Sequence, residues 1–153
     1  MTTTTGGAAN VMGKLEDYLQ TEWPELDVYL TSVTDHFATV SVCGQNSKKI
    51  VSQVIPDLDF SDESFPHMSF KNAKIDKINC RVMRISFTGE HSYEINVQAN
   101  YAKSVWEKCM EAGKNYNITP YGTETMHLLR AEKGFIIVGQ DTDATMTLSL
   151  IHI

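Results

Sequence analysis

The stretch Arg84-Ile85-Ser86-Phe87-Thr88-Gly89-Glu90-His91-Ser92-Tyr93-Glu94-Ile95-Asn96-Val97 decides the fold class. Thr88-Gly89-Glu90 is turn chemistry, and the residues after it alternate. Tyr93, Ile95 and Val97 fall on one face of a strand, with Ser92, Glu94 and Asn96 on the other. Such alternation predicts a half-covered antiparallel strand. Upstream, Phe70 to Ile75 and Ile78 to Phe87 read as a hairpin that would pair with it. Downstream, Tyr101 to Ala112 carries Val105, Trp106, Cys109 and Met110 at helical spacing, stopped by Gly113. Thr119-Pro120-Tyr121-Gly122 leads into a further helix through about Lys133, closed by Gly134. Short antiparallel strands with covering helices predict an α+β architecture.

The N-terminal half repeats this mixture. Met1-Thr2-Thr3-Thr4-Thr5 is β-branched and reads as a strand, broken by Gly6-Gly7. Val11, Leu15, Tyr18 and Leu19 have helical spacing that ends near Trp23-Pro24. Val28 to Val33 and Phe37 to Val42 read as strands. Gly44 opens a short helix with Ile50, Val51, Val54 and Ile55 inward, and Asp57 to Pro66 is an acidic surface loop.

Composition narrows the function. Thirteen basic against nineteen acidic residues give a formal charge of −6, which argues against a sequence-independent nucleic-acid binder. The longest tight apolar cluster, Phe135-Ile136-Ile137-Val138, falls far short of a transmembrane span of about 18 residues. Cys43, Cys80 and Cys109 are odd in number and lack C-x-x-C spacing. They read as buried reduced thiols of a cytoplasmic protein. His36, His67, His91 and His127 stand singly, so neither a nucleophilic triad nor a metal site is predicted.

Chemistry could sit in three segments. On pattern, Ser92, Glu94 and Asn96 form the half-exposed polar face of a strand. A sharper reading makes Glu94 a recognition carboxylate, accepting two parallel hydrogen bonds from a planar ring with adjacent N–H donors; Phe87 could flank that ring. In the helix from Tyr121 to Gly134, Met126, Leu128 and Leu129 read as core, and Arg130 and Glu132 as surface or ion-pairing groups. Gly139-Gln140-Asp141-Thr142-Asp143 is turn chemistry with two carboxylates.

At these three segments the chain resembles the folate-binding aminomethyltransferase family, the fold of glycine-cleavage T-protein. Arg84 to Val97 is similar to its "GYTGE-x-x-x-E-I" signature. Tyr121 to Gly134 with Gly139 to Asp143 is similar to "R-L-E-x-G…G-Q-x-x-D". The resemblance is closer still to the alpha-subunit branch of heterotetrameric sarcosine oxidases, through "MTTTTGGAA", "TEWP", "YLTSVT" and "VGQDTD". It implies a partial aminomethyltransferase-like folate-binding domain over residues 1–147, within an enzyme that oxidatively demethylates sarcosine to glycine and passes the one-carbon unit to tetrahydrofolate. FAD, FMN and NAD are implied only elsewhere in the complex, and the implied partners are the other subunits. Glu94 matches the glutamate that holds the pterin ring, and Glu90 the first glutamate of the signature, with a structural role at the turn. Phe87 stands where T-protein has tyrosine, and Met126 where it has a folate-contacting arginine. Both departures argue against T-protein activity. The resemblance also extends to a dimethylglycine dehydrogenase module and to a folate-binding module that has lost its chemistry. The family's catalytic aspartate would precede Met1, so no catalytic residue is expected here. Leu148 to Ile153 resembles a translated transposon adapter and is expected to be foreign to the domain, which would then be incomplete at both ends.

Overall fold

The computed structural model describes residues 1–143 and 145. The 148–153 segment therefore lies outside the described residues. The chain divides into two compact units, Met1–Ala38 and Thr39 onward.

In the first unit, α1 (Ala8–Thr21) follows a single 3-10 turn at Thr5–Gly7. It ends where the Glu22 and Trp23 amides both bond the Tyr18 carbonyl, at 2.9 and 2.8 Å. Trp23 folds back edge-on to the Tyr18 ring at 5.1 Å, and Pro24 cannot extend the helix. Two expected strands are absent. Met1 to Thr4 has no regular structure, and neither does Val28 to Val33, where Val28, Tyr29 and Val33 are exposed. β-branched residues favour a strand only where a neighbouring strand accepts their backbone bonds, and neither segment has such a neighbour among the described residues.

The second unit holds a four-stranded sheet in the order β1 (Phe37–Cys43), β4 (Ser92–Gln98), β3 (Ile78–Met83), β2 (Phe70–Ile75). β2 and β3 pair antiparallel from Phe70↔Met83 to Ile75↔Ile78, turning at Asp76, whose φ is +53°. β3 and β4 pair antiparallel from Cys80↔Val97 to Met83↔Glu94. Between β1 and β4, Thr39 meets Asn96 and Ser41 meets Ser92, the falling partner number that antiparallel pairing requires.

The alternation read from the sequence sets the layers. Val40, Val42, Cys80, Val82, Tyr93, Ile95 and Val97 are buried on one face. They are covered by α2 (Ser47–Val54) through Ile50, Val51 and Val54, by Ile55, and by α3 (Ala102–Gly113) through Val105 and Cys109. The acidic loop is not purely a surface feature, because Phe60 and Phe65 plunge from it into the same core. β3 stops at Met83 rather than reaching Phe87. The Arg84 backbone still exchanges bonds with Met68 and Ser69 at 2.9 Å, and its guanidinium donates to the Phe65 carbonyl at 2.6 Å and pairs with Asp62 at 2.8 Å.

Two expected core positions are displaced. Trp106 is 43% exposed because the buried stripe of α3 runs through Val105 and Cys109, and its neighbour lies about 100° around the helix. On α4 (Thr123–Glu132), Leu128 is 61% exposed while Met126 and Leu129 are half-buried. Gly134, at φ +73°, ends that helix as expected. Among the described residues no helix is long and apolar enough to cross a membrane.

Candidate functional site

The three segments singled out in the sequence meet in space. Two ion pairs, Glu90–Lys133 and Arg130–Asp141, tie them together. The turn Thr88-Gly89-Glu90 lies against the C-terminal end of α4, where Glu90 pairs with Lys133 at 3.0 Å. Gly89 has φ +75°, and a Cβ there would stand 2.7 Å from the Lys133 Cγ, so glycine serves both the turn and the close approach. Phe87 sets its ring edge-on to His127 at 5.8 Å. Arg130 donates to both carboxylate oxygens of Asp141 and to the Phe135 carbonyl at 2.9 Å. Asp141 also accepts the Ile137 amide at 2.7 Å. The Arg130 bond, followed by that amide, holds the Asp141 carboxyl below its usual range. Arg130 and Asp141 thus form a clip that shapes the turn after α4, matching the ion-pairing role expected of Arg130.

His91 is also committed to structure. Its Nδ1 lies 3.2 Å from the Ser47 hydroxyl, which donates to the His91 carbonyl at 2.8 Å. Burial, then the nearby Arg84 charge, pushes its pKa down.

Glu94 differs from all of these. It projects from β4 opposite Met83, on the face away from the core, between buried Ser92 and half-buried Asn96. Among the described residues it has no ion-pair or hydrogen-bond partner. Burial alone pushes its carboxyl above the usual range. Asn96, two residues on, accepts from Thr39 at 2.7 Å, and its Nδ2 is enclosed without a partner. A half-buried carboxylate with four open acceptor sites is a poor structural element and a good receptor for N–H donors.

Beside it, a cavity of about 520 Å³ opens at the β1 side of the sheet. This is within the usual range for small-molecule sites. Ser41, Cys43, Asn46, Trp106, Tyr121 and Met126 contribute to its wall. Met126 therefore faces a cavity, whereas Glu94 itself is not a lining residue. The link between them is Tyr121, whose hydroxyl accepts from the Cys43 thiol at 3.2 Å. Its phenol is close enough to Glu94 for that charge to help raise its pKa. Phe87 and Glu90 gather at α4, Phe87 against His127 beside the cavity-lining Met126 and Glu90 on Lys133. The three cysteines are free thiols; Cys80 and Cys109 are buried as expected, but Cys43 is only half-buried. The sequence reads Cys43 only as a buried thiol and Tyr121 only as the lead into a helix, neither as a site residue. Cys43 shares the outward period-2 register of Ser41, but nothing in the spacing announces a tyrosine that returns to it from 78 residues away.

The α+β sheet with helices on one face is that of a known family. The chain belongs to the family described as the GCVT N-terminal domain, whose profile matches residues 1–151. It is 57% identical over 148 residues to a sarcosine oxidase subunit alpha of Corynebacterium sp. (strain P-1), covering 96% of this chain and 15% of that protein. It is 42% identical over 138 residues to the subunit of the same name from Rhizobium meliloti (strain 1021), covering 89% and 14%. An aminomethyltransferase of Thermoanaerobacter sp. (strain X514) is 34% identical over 122 residues, covering 79% and 32%. The chain thus spans about one seventh of the length of the sarcosine oxidase subunits that it matches.

Proposed function

We propose that residues 1–147 supply one wall of a tetrahydrofolate site in a sarcosine oxidase alpha subunit. In that enzyme, oxidative demethylation of sarcosine to glycine would be joined to one-carbon transfer onto the folate. The observation that carries this is Glu94, a half-buried carboxylate with raised pKa and no partner among the described residues. A pterin ring suits such a carboxylate, because it presents adjacent N–H donors in one plane. When bound, tetrahydrofolate supplies the nucleophilic nitrogens that accept the one-carbon unit. This chain's residues bind and orient. Glu94 would hold the N–H edge, Phe87 and Met126 would offer apolar flanks, and Glu90 would fix the turn through Lys133.

FAD, FMN and NAD would sit in other parts of a heterotetramer, in the cytoplasm. No redox or proton-transfer step is assigned to a residue of this chain. The identity to an aminomethyltransferase supports that activity as a second reading. Phe87 and Met126, in place of that family's tyrosine and arginine, weigh against it.

The test is calorimetric titration of the full chain with 5-formyltetrahydrofolate, a stable reduced folate. Glu94→Gln should weaken binding by about 1.5–3 kcal/mol, the scale of a charged hydrogen bond, or roughly 10- to 150-fold. Unchanged affinity in that variant would remove Glu94 from the site.

A further inference from the structure

Tyr121 lies immediately before Gly122, which caps the start of α4, and reaches back over the outward face of β1. Its oxygen is already engaged as an acceptor by the Cys43 thiol at 3.2 Å. Burial first, then the Cys43 contact, with the Glu94 charge adding, pushes its pKa up to about 12. The phenol therefore stays protonated at any physiological pH and keeps a proton to give. Tyr121 lines the cavity, with the Ser41 hydroxyl also near its oxygen. Asn96 Nδ2, on the same face two residues from Glu94, is enclosed and has no partner among the described residues. Glu94 and Tyr121 together thus offer two acceptors flanked by one donor.

The edge of a 4-oxo pterin reads the opposite way: two N–H donors, from the amino group and the ring N3, followed by the carbonyl at position 4. A 4-amino pteridine replaces that carbonyl by a donor and N3–H by an acceptor. Resting on the folate reading above, we infer that Tyr121 is a specificity-determining residue of the site, donating its hydroxyl to the ring carbonyl beside the N–H edge held by Glu94.

Folic acid and aminopterin test this, because they differ in the oxygen or amino group at position 4. The native chain should prefer folic acid by about tenfold. Tyr121→Phe should lose roughly five- to tenfold on folic acid and on 5-formyltetrahydrofolate, the scale of one neutral hydrogen bond, yet stay within about twofold on aminopterin. Equal losses on all three ligands would mean a merely structural tyrosine and overturn the inference, as would undiminished binding of 5-formyltetrahydrofolate by the variant. If Tyr121→Phe does not fold, the native preference decides: equal affinity for folic acid and aminopterin refutes the assignment without any variant. A native chain that binds no 5-formyltetrahydrofolate sinks the folate reading itself, and the role of Tyr121 with it. Native binding with an unselective Tyr121 sinks only the latter.

Discussion

Tyr93→Phe should stabilise the protein. Tyr93 is fully buried, and its ring is held edge-on by Phe60 at 5.2 Å and tilted against Phe65 at 5.8 Å. His91 closes a further side at 5.2 Å. The hydroxyl in this aromatic cage has no hydrogen-bond partner among the described residues. Burial pushes its pKa up, in keeping with an oxygen deprived of water. An unpaired buried hydroxyl costs about 1–3 kcal/mol. Removing it keeps every ring contact and leaves a void one oxygen wide, worth a few tenths of a kcal/mol at about 24 cal/mol per Å³. The balance is a gain of about 1–2 kcal/mol, or roughly 2–8 °C in Tm for a chain of this size. Urea unfolding followed by tryptophan fluorescence should show a higher midpoint at unchanged slope. A lower midpoint would mean that the hydroxyl is satisfied after all and refute the reasoning.

Two further outcomes follow from the same geometry. Because the folded pKa of Glu94 is raised, its contribution to stability is full below the ordinary carboxylate value of 4.5 and is lost as pH rises through the folded pKa. Glu94→Gln should therefore melt higher than the native chain at pH 7 and alike below about pH 4.5, and a variant that melts lower at pH 7 would show that the carboxylate has an internal partner. Gly89→Ala places a Cβ at φ +75° against Lys133 and should cost about 1–2 kcal/mol, read as a lowered Tm; an unchanged Tm would show that the turn relaxes without loss.

What could be read from the sequence was what repeats locally. The period-2 pattern of Tyr93, Ile95 and Val97 placed the core face of β4, and Gly113 and Gly134 marked the ends of their helices. Local pattern failed where a strand depends on a distant neighbour. Thr2 to Thr5 and Val28 to Val33 have the propensity for a strand and none of the pairing. It failed again where one helical step separates inside from outside, as at Trp106 and Leu128. The site was legible only in part for the same reason. Glu94 sits within a local motif, but the Tyr121–Cys43 contact joins a loop to a strand that no periodicity connects.

The signature's charged residues also look alike in sequence, and only their partners separate them. Lys133 neutralises Glu90, and Arg130 neutralises Asp141, so these charges are answered inside the fold. Of Glu90, Asp141 and Glu94, only Glu94 has no partner among the described residues, and burial of its carboxylate costs stability at neutral pH. On the folate reading proposed above, the compensating donor would come from the ligand. The neutral hydroxyl of Tyr121 beside it can adjust which donor is accepted, but cannot replace that donor's role.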